Sequence, residues 1–271
     1  DAKAEALAKS EEVEKISKQL AKYLSPQIHE QIFSGKQNAE VKSNRKKLTV
    51  FFSDIVGFTD ISDELESEEM TNLLNFYLNE MSQIALKYGG TIDKFIGDAL
   101  MIFFGDPDTN GPQEDARKCI QMALEMQKLM NQLSGYWSKN YSLKQDLKIR
   151  IGINTGFCTV GNFGSLDRLD YTAIGSTVNL ASRLESIAEA GSIIISEDTF
   201  ALVNNFFTFK KPKNVKIKGF LRDIKCYELK KEDTSKEDMF SLSGKGFQID
   251  INKKIIKKDA LDDIKNKLSL I

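Results

Sequence analysis

The N-terminal part of the chain carries a helical pattern of apolar positions. Within residues 1–24, charged residues and alanines separate four apolar residues at helical spacing, namely Val13, Ile16, Leu20 and Leu24. This pattern predicts an amphipathic helix that either stays solvated or forms a short coiled coil, which would pair two chains or relay a signal from a region before it. A second helix is expected to begin with Ser25 as its N-cap and Pro26 at its first position, and to stop at Gly35. The polar and basic residues 36–47 then predict a linker.

A compact region is predicted from Leu48 onwards, because the apolar runs become longer and more regular there. The run LTVFFSDI predicts a buried strand, and regularly spaced apolar residues over 67–88 predict an amphipathic helix. The run TIDKFIGDALMIFFG predicts two strands joined by a tight turn at Gly97-Asp98. A further helix is expected over about 113–133.

The second half of this region predicts more strands and one more helix. The run LKIRIGINTGFCTVGNFG is expected to form a strand pair that turns at Thr155-Gly156, STVNLASRLESIAEA a helix, and SIIIS a strand. Edge strands are predicted at three places, 206–209, 215–218 and 224–229. The order β-α-β-β-α-β, followed by additional α and β elements, is typical of a ferredoxin-like α+β sandwich.

The last residues differ in character from the compact region. Apolar residues alternate with polar ones over 247–251 and take helical spacing over 261–268, which predicts one strand or hairpin and one helix. The sequence therefore predicts three parts: a helical linker at 1–47, a compact domain at 48–231 and a C-terminal appendage at 232–271.

Composition excludes several classes of function. The chain of 271 residues is 41% hydrophobic and 28% charged, and its formal net charge of −1 gives no indication of nucleic acid or of an acidic membrane surface as a partner. No apolar run approaches the ~20 residues that span a bilayer. Three scattered cysteines form no CxxC pair, which predicts a reducing compartment and no zinc site. The single histidine, His29, lies outside the compact region, so histidine-based chemistry there is nearly excluded.

Two aspartates are expected to meet at one edge of the sheet. Asp54 ends the first buried strand, and Asp98 lies at the tip of the hairpin on a neighbouring strand. Two carboxylates a few ångström apart repel, so either one is protonated or a cation lies between them. Hard oxygen ligands without His or Cys favour Mg²⁺ or Mn²⁺. The alternative is that each aspartate only caps or turns its own local backbone.

The segment DIVGFT, residues 54–59, adds an anion site to this prediction. Gly57 lies in a turn after the aspartate, and Thr59 is near a helix start. Small residues there let backbone N–H groups point at an anion. Carboxylates beside such a turn indicate a site for a Mg²⁺-nucleotide, although the sequence contains no Walker pattern.

Three motifs, in this order, resemble the catalytic domain of class III nucleotidyl cyclases: FFSDIVGFT, DKFIGDALMIFF and YTAIGSTVNLASRLE. The resemblance runs from about Leu48 to Leu229. It implies that ATP or GTP is converted into the 3′,5′-cyclic monophosphate and pyrophosphate. It also implies two Mg²⁺ or Mn²⁺ ions in each site and a head-to-tail homodimer with its sites at the subunit interface.

The resemblance assigns roles to individual residues by their position. Asp54, Ile55 and Asp98 correspond to metal-binding positions. Asn179 and Arg183, four apart on one helix, correspond to the pair that orients the ribose and stabilises the transition state. The remaining positions bind substrate: Lys94 and Thr172 read the base, Lys218 and, by a looser match, Arg168 contact phosphate, and Gly57, Phe58 and Thr59 form the substrate-binding turn.

Position 172 sets this sequence apart from many members of the family. Many members have aspartate there, and Thr172 resembles a subset that includes bicarbonate-responsive cyclases. A threonine hydroxyl can still accept a hydrogen bond from the adenine amino group. The Lys94 ammonium is a donor, which suits adenine N1 and opposes guanine N1–H. ATP is therefore the expected substrate. The alternatives are a guanylate cyclase, a diguanylate-cyclase-like palm domain, and a non-catalytic module for dimerisation or nucleotide sensing.

Lys94 and Asp98 are expected to serve different active sites. In a head-to-tail dimer, Asp98 would hold metal in one site while Lys94 reads the base in the other. We thus expect a signalling enzyme that is complete only as a homodimer.

The sequence also suggests a wider context. The chain starts at Asp1 without a methionine, so we expect either a processed protein or a piece of a longer protein with an upstream regulatory domain, which could attach the full-length protein to a membrane. The need for ATP and the unpaired cysteines predict a cytoplasmic location for this domain, with neither membrane contact nor a nucleic-acid partner.

Overall fold

The computed structural model describes the chain in seven stretches: residues 2–35, 40–141, 143–165, 167–220, 222–230, 239–244 and 247–252.

An eight-stranded sheet forms the centre of the fold. Its strands are, in chain order, β1 (Ser43–Ile55), β2 (Thr91–Ile96), β3 (Ala99–Phe104), β4 (Ile149–Gly164), β5 (Leu169–Ile174), β6 (Ile193–Ser196), β7 (Lys213–Val215) and β8 (Ile224–Glu228). Across the sheet the order is β2-β3-β1-β4-β6-β8-β7, and β5 pairs with β4 beside this path. The β2-β3-β1-β4 part is antiparallel, as in a ferredoxin-like sandwich, and this confirms the predicted α+β fold class.

Eight α-helices accompany the sheet in the described part of the chain. They are α1 (Ala2–Leu20), α2 (Pro26–Phe33), α3 (Phe58–Glu64), α4 (Ser67–Lys87), α5 (Pro112–Gln132), α6 (Tyr136–Tyr141), α7 (Ser176–Ser186) and α8 (Glu197–Val203). A short 3₁₀ helix, Ala21–Tyr23, follows α1, and a separate hairpin of β9 (Met239–Gly244) and β10 (Phe247–Asn252) comes last. None of the described helices is both long enough and apolar enough to cross a membrane.

Both faces of the sheet are covered, and β1 shows why. Phe51 belongs to the large core that includes residues of α4 and α5, whereas Val50 and Phe52 belong to a second cluster with Ala181 of α7. Successive side chains of a strand point to opposite faces, so a continuous apolar run is buried on both sides. The end of β1 that carries Asp54 is therefore held from both faces of the sheet.

β4 is one continuous strand, and the predicted turn at Thr155-Gly156 is wrong. Gly156 pairs with Leu48 in the β1–β4 ladder. A Cβ atom at Gly156 would lie 2.6 Å from Oγ1 of Thr177 on α7. The glycine therefore serves the close packing of α7 on the strand, which a sequence pattern does not distinguish from a turn.

β1 begins at Ser43, so part of the predicted N-terminal linker is strand. This part pairs with β4 from its first residue. The Arg45 guanidinium lies 4.7 Å from the centroid of the Phe157 ring, and Lys46 forms an ion pair with the buried Asp106. The sequence pattern did not predict this part of the strand, because its polar side chains contact single rings and charges rather than an apolar core.

Several predicted local features are confirmed. Ser25 caps α2 by accepting a hydrogen bond from the N–H of Ile28 at 3.3 Å, and Pro26 is at the first helical position. The turn between β2 and β3 falls at Gly97-Asp98. Helices α4, α5 and α7 and strand β6 lie within a few residues of their predicted places.

Other elements differ from the prediction. Residues 206–209 contribute only an isolated bridge, between Phe209 and Leu229, instead of an edge strand. The sequence pattern did not predict α3, α6, α8 or β5, which are short. The strand predicted over 247–251 is present as β10, and the helix predicted over 261–268 lies outside the described residues.

Candidate active site

Asp54 and Asp98 lie next to one another at one edge of the sheet. Asp98, in the β2–β3 turn, accepts a hydrogen bond at Oδ2 from the backbone N–H of Ile55 at 2.8 Å. Burial, and to a smaller extent the charge of Asp54, raises the pKa of Asp98 above its ordinary value. The hydrogen bond from Ile55 opposes this change but is outweighed. The β2–β3 turn thus brings the carboxylate of Asp98 to Ile55, the residue directly after Asp54.

A residue that the sequence analysis missed, Arg150 of β4, holds Asp54. Arg150 is directly opposite Asp54 in the β1–β4 pairing. Its Nε donates to Oδ1 at 3.0 Å and its Nη2 to Oδ2 at 2.9 Å, a two-pronged geometry in which guanidinium and carboxylate match. Nη1 donates to the carbonyl of Ser186 at the end of α7, at 3.1 Å. A carboxylate has about four acceptor positions, so Arg150 orients Asp54 and leaves part of its acceptor capacity free.

Glu185 of α7 is buried beside the same pair. Its Oε1 lies 2.7 Å from Nε of Arg150, and its side chain is only 7% exposed. Burial and, second, the charge of Asp54 raise the pKa of Glu185 to about 7, and Arg150 opposes this change. A Cβ atom at Gly152 would lie 2.1 Å from the backbone N of Glu185. Glycine at this position is what lets α7 approach β4 so closely.

The two aspartates fit a divalent cation that binds through oxygen. Within the described residues, no group of three or more His, Cys, Asp or Glu side chains could hold a metal ion by itself. Mg²⁺ commonly binds one or two carboxylates and completes its shell with substrate phosphates and water. The donor set of Asp54 and Asp98 therefore suits Mg²⁺ or Mn²⁺ that arrives with a nucleotide, rather than a permanently bound ion.

The turn that follows Asp54 is anchored on one side and open on the other. Gly57 is the N-cap residue of α3 with a φ of 72°, a left-handed conformation that favours glycine. A Cβ atom at Gly57 would meet no other atom within 4 Å. Phe58 packs against the large core, and Thr59 is exposed. The backbone of this turn is accessible from solvent.

Lys94 of β2 and Thr172 of β5 are brought together by Asp93, which the sequence analysis also missed. The hydroxyl of Thr172 donates to Oδ2 of Asp93 at 2.6 Å. Nζ of Lys94 lies 3.8 Å from Oδ1 of Asp93. Burial raises the pKa of Asp93 above its ordinary value. The hydrogen bond from Thr172 and the charge of Lys94 act in the opposite direction but are outweighed. Two residues far apart in the chain thus share one carboxylate.

Asn179 and Arg183 lie one turn apart on the exposed face of α7. The opposite face packs Ala181 and Leu184 into the core. Neither exposed side chain has a hydrogen-bond or ion-pair partner among the described residues. Both are therefore available to a ligand.

Lys218 and Arg168 lie in exposed connections. Lys218 is in the turn between β7 and β8. Arg168 is in the connection between β4 and β5, where its carbonyl accepts a hydrogen bond from the N–H of Ser165 at 2.9 Å. A single chain thus brings together Asp54 with Asp98, and Lys94 with Thr172. The other predicted polar side chains are exposed, with Asn179 and Arg183 on one helix face and Thr59, Arg168 and Lys218 elsewhere.

The missed residues had a weak signal in the sequence. Arg150 and Asp93 are charged residues within apolar strand runs, and such residues require a buried partner. Glu185 had the weaker signal, because it lies among alternating polar and apolar helix residues. In each case the partner is set by strand register or helix packing, which the sequence pattern does not give.

Comparison with known proteins agrees with this fold and arrangement. Residues 40–231 match the family described as "Adenylate and Guanylate cyclase catalytic domain". An adenylate cyclase of Anabaena cylindrica is 33% identical over 202 residues, which is 72% of this chain and 39% of that protein. The chain thus spans well under half the length of this relative.

Two solved structures resemble the chain closely. The adenylyl cyclase CyaB from P. aeruginosa is 52% identical with a TM-score of 0.69, and the match covers 72% of this chain and 99% of that one. The guanylyl cyclase Cya2 is 34% identical with a TM-score of 0.65, and the match covers 69% of this chain and 93% of that one. On the extent of the family match, the chain belongs to the family of adenylate and guanylate cyclase catalytic domains.

Proposed function

We propose that the chain is an adenylate cyclase that converts ATP into 3′,5′-cyclic AMP and pyrophosphate for signal transduction. The observation that carries the choice of base is the placement of Lys94 and Thr172 on either side of Asp93. An ammonium donor and a hydroxyl acceptor complement adenine, whose N1 accepts and whose 6-amino group donates. The relatives include cyclases of both base specificities, so membership of the family does not decide between ATP and GTP.

Asp54, Ile55 and Asp98 are the residues that would hold the metal ions. When bound, two Mg²⁺ or Mn²⁺ ions would lower the pKa of the ribose 3′-hydroxyl and neutralise charge on the triphosphate. Arg150 fixes the direction in which Asp54 presents its free lone pairs. The N–H of Ile55 does the same for Asp98.

The remaining exposed side chains would bind the sugar and the phosphates. Asn179 orients the ribose, and Arg183 neutralises the charge that develops at the α-phosphate as the 3′-hydroxyl attacks. Lys218 and Arg168 contact the triphosphate. The turn formed by Gly57, Phe58 and Thr59 is open to solvent, so its backbone N–H groups can bind the phosphates.

A head-to-tail homodimer would complete the site. Four large apolar side chains of β2, β4 and β5 are between 46% and 57% exposed, namely Phe95, Ile96, Phe157 and Ile174. Strands β2 and β5 also carry Lys94 and Thr172, and exposed apolar side chains on such a surface favour an interaction with a partner. In such a dimer, Asp54 and Asp98 of one protomer face Lys94, Thr172, Asn179 and Arg183 of its partner.

We also propose a cellular location, an upstream domain and an activator for this domain. The need for ATP and the three free, buried cysteines favour a cytoplasmic location for this domain. A regulatory domain upstream fits the greater length of the relatives. The threonine at position 172 makes bicarbonate a candidate activator.

The test is a product assay with the purified chain. The chain is incubated with ATP or GTP, with Mg²⁺ or Mn²⁺ and with or without bicarbonate, and cyclic nucleotides are separated by chromatography. We expect cyclic AMP as the main product and its loss in Asp54→Ala. The matched control is Asp63→Ala, which removes an exposed aspartate of the nearby helix α3 and should leave the activity unchanged.

Two other outcomes would replace the proposal. A main product of cyclic GMP would assign a guanylate cyclase. No product from either nucleotide, at concentrations at which the chain is shown to be dimeric, would assign a non-catalytic module.

A further inference from the structure

Asp93 is a buried carboxylate directly behind the two residues proposed to read the base. Its side chain is 1% exposed, whereas that of Lys94 is 40% exposed. Oδ2 accepts a hydrogen bond from Thr172, and Oδ1 has no hydrogen-bond partner among the described residues. The nearest cation to Oδ1 is the ammonium of Lys94, at 3.8 Å. Asp93 therefore does not face the solvent, and it acts on a ligand through the groups beside it, which are Lys94, Thr172 and the backbone of Ala173.

The hydrogen bond to Asp93 fixes the direction of the Thr172 hydroxyl. A threonine hydroxyl has one proton to donate and two lone pairs, so by itself it can either donate or accept towards a ligand. An ionised carboxylate can only accept. The Oγ1–Oδ2 distance of 2.6 Å is typical of a strong O–H···O⁻ hydrogen bond. With its proton committed to Asp93, Thr172 has only lone pairs left for a ligand.

Lys94 has the opposite character, because an ammonium group donates and cannot accept. The pair therefore presents one fixed donor and one fixed acceptor. Adenine offers the complementary pattern, with a donating 6-amino group next to an accepting N1, while guanine has an accepting O6 next to a donating N1–H.

We propose that Asp93 is a positioning residue that sets the base specificity by taking the proton of Thr172, so that Thr172 accepts from adenine and cannot donate to guanine. This inference rests on the proposed adenylate cyclase function. It assigns to Asp93 the part of the selectivity that a threonine cannot supply alone.

The alternative is that Asp93 only ties β2 to β5. A purely structural tie would lower the use of both nucleotides by the same factor when it is lost. A positioning role predicts a change in the ratio of kcat/KM for ATP to kcat/KM for GTP. This ratio separates the two roles, because a common loss of folded protein cancels in it.

The main test is Asp93→Asn. Its amide can donate to Oγ1 and release the threonine proton towards the base. One misdirected buried contact corresponds to ~5–150-fold in discrimination, so we expect the ATP-to-GTP ratio to fall by that factor. Thr172→Ser is the matched control, because it keeps the hydroxyl and should keep the ratio.

A double-mutant cycle tests whether Asp93 acts through Thr172. Thr172→Val removes the hydroxyl at nearly constant shape and should itself lower the ratio. In that background Asp93→Asn should leave the ratio unchanged, since there is no proton left to direct. If Asp93→Asn lowers the ratio equally in both backgrounds, the inference is overturned.

Thr172→Asn is the substitute test if the melting temperature shows that Asp93→Asn does not fold. Asp93 would accept from the asparagine NH₂ group and turn the amide oxygen to the base, so this variant should still prefer ATP. A variant that uses both nucleotides equally would overturn the inference. Wild type in the same assay keeps the two hypotheses apart: no preference for ATP in wild type refutes the proposed function, whereas a preference kept in Asp93→Asn refutes only this inference.

Discussion

Arg150 donates two hydrogen bonds to Asp54, from Nε to Oδ1 at 3.0 Å and from Nη2 to Oδ2 at 2.9 Å, while Oε1 of Glu185 lies 2.7 Å from the same Nε. Arg150→Ala would leave two partly buried carboxylates together without a cation. Breaking a buried ion pair costs ~3–5 kcal/mol, and because Arg150 and Asp54 are partly exposed we expect a loss of about 1–3 kcal/mol in the free energy of unfolding at neutral pH. Urea unfolding followed by circular dichroism measures it.

Glu185→Gln is the control for this explanation. The neutral side chain removes the repulsion, so the double variant Arg150→Ala, Glu185→Gln should regain part of the stability that Arg150→Ala loses. An equal loss with and without Glu185→Gln would show that repulsion between the carboxylates is not the cause.

Gly152 marks the closest approach of α7 to the sheet. A Cβ atom there would lie 2.1 Å from the backbone N of Glu185 and 2.4 Å from the carbonyl oxygen of Ala181. Gly152→Ala must therefore move the helix backbone, and overpacking of this kind costs ~1–3 kcal/mol or more. Because α7 carries Asn179 and Arg183, kcat should fall together with the melting temperature.

Gly156→Ala is the matched substitution on the same strand. The three atoms nearest to its Cβ all belong to the side chain of Thr177, with Oγ1 at 2.6 Å, and a side chain can move more easily than a helix backbone. We expect a clearly smaller loss of melting temperature and of kcat than for Gly152→Ala. Equal losses would mean that the backbone contact at Gly152 is not the limiting one.

Arg183 is exposed on α7 and is proposed to neutralise charge at the α-phosphate. Loss of one such preorganised donor costs ~10²–10³ in kcat, so Arg183→Ala should lose that factor with little change in stability. Arg183→Lys should recover part of it. Arg117→Ala, which removes an ion pair with Glu114 on α5, is the control and should keep kcat; a small effect of Arg183→Ala would remove this residue from the proposed site.

The proposed dimer predicts that two inactive chains restore each other. Lys94→Ala damages one half of a site and Asp54→Asn the other half, so each pure variant should be inactive. In a mixed dimer both losses fall in one site and the second site is intact. An equimolar mixture that re-associates at random should therefore recover about one quarter of the wild-type activity. No recovery, with subunit exchange confirmed by differently tagged chains, would contradict the shared site.

Glu125 on α5 makes stability depend on pH. It accepts hydrogen bonds from Lys87 at 2.7 and 2.8 Å and from the Tyr88 hydroxyl at 2.6 Å. The contact with Lys87, and then that with Tyr88, lowers the pKa of Glu125 below its ordinary value of 4.5. A carboxyl with a lowered pKa stabilises the fold above its unfolded pKa, and this stabilisation is lost as the pH falls through the folded pKa.

Glu125→Gln should accordingly reduce the free energy of unfolding by about 0.5–1 kcal/mol at neutral pH, a modest value because the pair is partly exposed. The difference from wild type should shrink as the pH falls from 4.5. Urea unfolding at a series of pH values measures this, and a difference that stays constant would exclude the ionised Glu125 as its source.

The sequence pattern could predict the neighbouring positions of Asp54 and Asp98. A hairpin tip beside the end of an adjacent strand needs only strand order, and strand order follows from the succession of elements. The predicted metal-binding role of the two residues stays a prediction.

Arg150 and Glu185 could not be predicted, because their contacts depend on register and on helix packing. Arg150 faces Asp54 because β4 pairs with β1 in a register that sets Asn154 opposite Val50, and the sequence pattern does not give this register. Glu185 reaches Arg150 only because Gly152 leaves room for α7. A glycine that admits a helix and a glycine that makes a turn are the same in the sequence.

The β2–β3 hairpin carries Lys94 and Asp98 four positions apart on one short piece of backbone. In a head-to-tail pair of chains these residues belong to different nucleotides. A shift of the hairpin that follows recognition of one base would reach the metal ligand of the other site directly. Each hairpin would thus connect the base-binding half of one site to the metal-binding half of the other.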